Sequence, residues 1–449
     1  MTKRTGRDTR GAAPPRVRRV LVAATVSFLA ASILGATLGH APVARASVPG
    51  ETWVPELSVE GGDDTNVVAS AGAIRLADGV VRAQSARSPF AEGELLLDRR
   101  RLAAPADQVT AQVTADVPPG AQVLVDVRGI RSDGTWSQWS PATATGPAQL
   151  PEATVDVQAR VTLLAGDFGA SPSLQRLWFS AVRSGTPAGT TPTPTTTATP
   201  TTAPTTAPTT AATAAPQPAR VAPLTSRVFA TRIGLVGNTT ANGHVIVPRD
   251  RFVALPSRRG LAPRGTGDYT VKVCASNGRC AWQPVWDVGP WNIRDDYWSA
   301  PGGRQQFGDL PRGFPESQAA FQNGYNGGKD GFGRRVANPA GIDLADGTFY
   351  DDLQLRDNSW VTVTYLWTGT GPSALARPTG APTLTVRSAP TDSSSAVGTV
   401  SAGARMGVTC SAPGQTRSGS QGTSAQWLQI GPQQYVPAAA VEAPRVASC

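Results

Sequence analysis

Between Ser184 and Ala219 the chain runs for 36 residues with 15 threonines, eight prolines and no charge. Proline fixes φ and removes a backbone donor. A stretch this rich in Thr, Pro and Ala has too little apolar surface to bury a core. It reads as a semi-rigid tether, the linker 184–222, able to part its neighbours by up to roughly 110 Å. Dense Thr and Pro also suit O-glycosylation. Whatever folds must lie on either side. At ~150 residues per domain, 449 residues leave room for about three domains.

The basic balance invites an anionic partner, with a net charge of +9 and a pI near 9.9. Its position changes that reading. Residues 1–46 hold eight basic side chains against the single acid Asp8, whereas residues 47–449 are nearly neutral at +2. The first 46 residues read as a secretory leader, a signal peptide. Arg16, Arg18 and Arg19 precede an apolar run from Val20 to Leu38, and Ala44-Arg45-Ala46 fits a small-x-small cleavage site. Arg18-Arg19-Val20-Leu21 resembles a twin-arginine signal, although Val17 stands where Ser or Thr is usual. The competing reading is an uncleaved anchor, since the run is nearly long enough to span. A secreted, extracellular or wall-associated address is expected. No nucleic-acid partner is expected, nor a membrane partner once the leader is cleaved.

Four cysteines follow the leader, at Cys274, Cys280, Cys410 and Cys449. An even count in an oxidising compartment suggests two disulfides. Spacing favours Cys274–Cys280 and Cys410–Cys449. No C-x-x-C pair occurs and His244 is the only histidine after the leader, so no metal and no cofactor are expected. Asp343, Asp346, Asp351 and Asp352 lack the spacing of an EF-hand loop.

A β-sandwich is expected over residues 52–183. Val109, Ala111, Val113, Ala115 and Val117 alternate with polar residues, as do Val155, Val157, Ala159, Val161 and Leu163. Val123, Val125 and Val127 make a third strand, reached through a Pro118-Pro119-Gly120 turn. The stretch Asp133-Gly134-Thr135-Trp136-Ser137-Gln138-Trp139, with Val157–Leu163, is similar in pattern to jelly-roll modules of the galactose-binding type. Trp136 and Trp139 would then stack on a sugar or, as the better-favoured reading, pack at a sheet edge.

Residues 223–370 carry short strand-like runs between Gly-rich turns, the pattern of an all-β barrel. Pro315–Asn323 reads as one short helix. Four segments resemble the double-psi β-barrel of the rare lipoprotein A and expansin type. They are Gly237-Asn238-Thr239-Thr240-Ala241-Asn242-Gly243, then Ala254-Leu255-Pro256, Asp287-Val288-Gly289-Pro290-Trp291 and Ile342-Asp343-Leu344-Ala345. The resemblance implies a key acid at Asp343 and a second at Asp287. A Gly-Pro turn after an acid fixes its carboxylate at a loop mouth. Partial burial in an apolar strand would raise the pKa of Asp343, as a general acid for glycosidic cleavage requires. The histidine that normally precedes the Leu-Pro segment is missing, and His244 sits about ten residues early. Capping of backbone amides is the competing role for both acids. Trp282, Trp286, Trp291 and Trp298 could line a glycan groove, or equally pack a core.

Residues 380–449 resemble the bacterial SH3-type domain through Leu384-Thr385-Val386-Arg387-Ser388-Ala389-Pro390, Trp427-Leu428-Gln429-Ile430 and Tyr435-Val436. That family implies a wall-binding module and a small SH3-like barrel. The whole then reads as a mainly β, exported cell-envelope protein that binds peptidoglycan or another wall polysaccharide and can remodel it. Two weak wall-binding modules on one chain would add avidity. The alternative is an active lytic transglycosylase or glycoside hydrolase, with Asp343 as general acid and Asp287 assisting. A third reading is an inert surface protein.

Overall fold

Alternating β-branched and polar residues form strands at every segment where the pattern is regular. The computed structural model describes residues 50–60, 63–77, 91–166, 169–184 and 220–449. The expected leader and nearly all of the expected linker lie outside these residues. The protein is mainly β, with 47% strand and 8% helix. Among the described residues, no helix is long and apolar enough to cross a membrane.

The N-terminal region has nine strands. They are β1 (Glu51–Trp53), β2 (Val67–Ser70), β3 (Ala73–Leu76), β4 (Glu92–Leu96), β5 (Arg100–Asp116), β6 (Gln122–Gly129), β7 (Ser140–Pro141), β8 (Ala148–Leu164) and β9 (Ser173–Val182). Their order is β2-β3-β9-β5-β8-β6-β7, with β1 on β9 and β4 on β8. The 17-residue β8 pairs with β5 along its first part and with both β4 and β6 near its end. Register shifts in β5 accompany that change of partner. The sheet so formed closes over one core containing Leu95, Val109, Val161, Leu163, Leu174 and Leu177. The Pro118–Ala121 turn closes as expected, with Ala121 N donating to Pro118 O.

Six further strands make a closed barrel. They are β10 (Thr225–Ile233), β11 (Val253–Leu255), β12 (Thr270–Cys274), β13 (Cys280–Val288), β14 (Ala340–Ala345) and β15 (Ser359–Tyr365). The order β11-β14-β10-β15-β12-β13 closes through β11–β13. The β10–β14 and β11–β13 pairs are parallel; the others are antiparallel. Val228, Ala230, Val271, Val285, Ile342, Leu344 and Val363 belong to its buried core. The expected helix is α1 (Glu316–Asn323), ended by Gly324 at φ 66, where a glycine meets little strain.

The C-terminal region adds β16 (Ser373–Ala376), β17 (Thr383–Arg387), β18 (Ala396–Ser401), β19 (Arg405–Gly407), β20 (Cys410–Gly419), β21 (Gly422–Gly431), β22 (Gln434–Pro437) and β23 (Val441–Glu442). It is not strung loosely behind the barrel. Strand β18 pairs in parallel with β13, setting Gly398 opposite Cys280. A Cβ on Gly398 would stand 2.2 Å from Cys280 O, so only glycine allows this approach. Both expected disulfides are present, Cys274–Cys280 and Cys410–Cys449.

The largest departure concerns the tether, which suggested well-separated neighbours. The sandwich instead packs directly on the barrel. Trp139 is fully buried and belongs to the barrel's core cluster. Tyr269 of the barrel donates its hydroxyl to Ser137 O at 2.8 Å. Arg128 of β6 pairs with Asp268 at 3.1 Å and lies 4.4 Å over both Trp136 and Trp139. Glu94 bridges Arg160 of its own sheet and Arg258 of the barrel, while Arg258 also meets Glu92 at 2.9 Å. The tryptophans therefore anchor a domain interface, which removes Trp139 from any sugar-stacking role.

Candidate functional site

Strand register builds an acid pair on the barrel. Ala254, in the three-residue β11, lies opposite Asp287 of β13 on one side and Asp343 of β14 on the other. Thr231 of β10 lies opposite Asp343. In-register residues on neighbouring strands share a face. Thr231, Asp343, Ala254 and Asp287 thus form one row, with the acids' backbones roughly 10 Å apart, two strand spacings. The alternate residues Ile342, Leu344, Val253 and Leu255 point into the core. The row therefore lies on the other face of these strands.

Each acid has a local structural duty. Asp287 is completely buried, and its Oδ1 accepts from the amides of Ala241 and Val288, both at 2.9 Å. The first of these bonds fastens the 237–243 loop to β13, and Asn242 N adds a bond to Trp286 O. Asp343, only 7% exposed, accepts from the Thr231 hydroxyl. Gly289-Pro290, just after Asp287, is a cis peptide. His244 Nε2 lies 2.7 Å from Asp250 Oδ2, and its ring is 4.7 Å from that of Trp286. Trp286 stacks on Phe252 at 5.5 Å.

The four tryptophans do not share a groove. Trp282 is 1% exposed in the core of the C-terminal region, under the Lys272 ammonium at 4.8 Å. Trp298 is fully buried against Tyr365 and Trp367. Neither can stack on an external sugar, because both rings fill cores where domains meet. Trp286 and Trp291 are half-buried, and Trp291 Nε1 donates to Asn338 Oδ1 at 3.2 Å. The later acids are also engaged: Asp346 pairs with Arg232, and Asp351 and Asp352 with Arg251. Among the described residues, no group of three or more His, Cys, Asp or Glu side chains could hold a metal ion.

Burial also lifts carboxyls around the start of α1. Burial pushes Glu316, at the start of α1, up to about 7 and Asp295 up to about 6. Glu316 Oε2 accepts from Asn292 Nδ2, and Asp295 accepts from the Glu316 amide, both at 2.7 Å. Arg304 donates to Asp295. The sequence pattern did not single out Glu316, Thr231 or Asp250. An acidic residue at the mouth of a helix is an ordinary capping pattern, so nothing in the string marked Glu316 as buried.

A closed six-strand β-barrel carrying this acid row is thus the defining feature of the chain. Residues 224–364, which span the barrel, match a family model described as a domain of unknown function (DUF8814). No curated protein and no solved structure matches the chain.

Proposed function

We propose that this chain is an exported protein of the bacterial cell envelope that binds peptidoglycan or another wall polysaccharide through its barrel. One observation carries the proposal: the half-buried Trp286 and His244 rings pack together with fully buried Phe252 stacked against Trp286, and buried Asp287 fastens the loop next to His244. Aromatic faces of this kind stack on the apolar side of a sugar ring. In this reading Asp287 organises the loop through backbone amides, and the site binds without cleaving. The resemblance of the barrel to the rare lipoprotein A and expansin type, and of the C-terminal region to SH3-type wall binders, supports the choice of polymer.

A second reading is favoured by the register itself. Asp343 and Asp287 stand in one row across Ala254, a placement that suits a general acid and an assisting carboxylate. The two readings separate in one experiment, sedimentation of the full exported chain with purified sacculi followed by mass spectrometry of the supernatant. Binding predicts co-sedimentation without soluble muropeptides, weakened about fivefold or more in Trp286→Ala by loss of a stacking platform. Muropeptide release that vanishes in Asp343→Asn establishes the enzyme. A chain that stays in the supernatant and releases no muropeptides refutes both.

A further inference from the structure

Where the sandwich meets the barrel, the contact leaves a cleft of about 1000 Å³. Arg131 lines it from the sandwich, and Arg259, Arg294, Arg304 and Arg312 line it from the barrel. No Asp or Glu is among the described residues that line it. Two of these arginines are fixed from behind by acids that are themselves fully buried. Asp296 holds Arg259 at 2.6 Å, and Asp295 holds Arg304. Both guanidinium groups are 4% exposed, and each keeps a buried nitrogen with no partner, Arg259 Nε and Arg304 Nη1.

The other three have no carboxylate partner among the described residues. Arg131 donates to the carbonyls of Trp367 and Gly369, Arg294 to the Gln122 side chain, and Arg312 to the Trp298 carbonyl. The cleft therefore carries three arginines with no carboxylate in direct contact, on a chain that is nearly neutral after residue 46. Burial also lowers the pKa of Arg131 and Arg294, since each is desolvated without a full counter-charge. An unpaired buried donor is costly, and guanidinium groups match carboxylate and phosphate oxygens in a fork geometry. Gln305 and Gln306 add amides suited to hydroxyl groups.

We propose that this interdomain cleft is a binding site for an acidic polysaccharide, whose carboxylate or phosphate groups pair with Arg131, Arg294 and Arg312. The site is separate from the acid row and stands whether or not Trp286 binds sugar. The direct test is calorimetric titration of the full exported chain with three oligomers: a polyuronate, a poly(glycerol phosphate) and neutral dextran. At least one polyanion should bind, dextran should not, and binding should weaken as salt is raised. The stronger of the two polyanions names the source of the charge. Arg294→Gln with Arg312→Gln should weaken binding about tenfold or more, whereas Arg356→Gln, an exposed arginine outside the cleft, should change it less than about twofold. Arg312→Glu alone, at an exposed position, gives the same readout should the double variant fold poorly. Failure of both polyanions to bind, or an equal loss in Arg356→Gln, overturns the proposal.

Discussion

Two sets of arginines sit within one domain interface and behave in opposite ways. Arg128, Arg160 and Arg258 are matched by Asp268, Asp126, Glu94 and Glu92, and all three side chains are at most 9% exposed. A short distance along the same contact, Arg131, Arg294 and Arg312 line an open cleft without a carboxylate. Buried charge is tolerated when it is paired, and removing one partner leaves the other stranded. The paired set therefore closes the interface, and the unpaired set leaves it receptive. The same residue type serves adhesion in one place and recognition in the other.

The sharpest way to break this comparison is to strand the paired acids. Arg160→Ala leaves Asp126 and Glu94 buried with a lost partner, and should cost about 3–5 kcal/mol of stability. Chemical denaturation would measure it. A loss below about 1 kcal/mol would mean that the pairs are as weak as exposed ones.

A somewhat smaller effect concerns Glu316, behind the arginine-lined cleft. Its folded pKa is raised to about 7 from a usual 4.5, so its contribution to stability is complete below about 4.5 and disappears as pH rises through about 7. Glu316→Gln removes this titration and keeps an oxygen for Asn292 Nδ2. The variant should match the native chain near pH 4 and exceed it near pH 8 by up to about 3 kcal/mol. Denaturation curves at both pH values check this, and a difference that does not vary with pH contradicts it.

The strands and the barrel were legible in the string because period-two alternation and short strand-like runs between Gly-rich turns act locally. The interface was not. Asp156, Arg160 and Thr162 alternate with apolar residues along β8 and look like a solvated face, yet each is buried. Period two marks the two faces of a strand but says nothing about what covers the polar one. For the same reason Trp282 and Trp298, equally plausible as a sugar platform, proved to be core residues where separate regions meet. The acid pair was legible as two motifs. Its common row was not, because it depends on the register of the three-residue β11 between them.

The linker makes the central claim directly testable. Its composition suits a semi-rigid tether that could hold its neighbours apart, whereas the side chains on either side of it form one interface. A protease site placed within residues 185–219 and cut in the folded protein should leave both halves eluting together at the size of the intact chain, with a single thermal transition. Separation of the two halves at low protein concentration would contradict the paired interface, and with it the cleft that this interface creates.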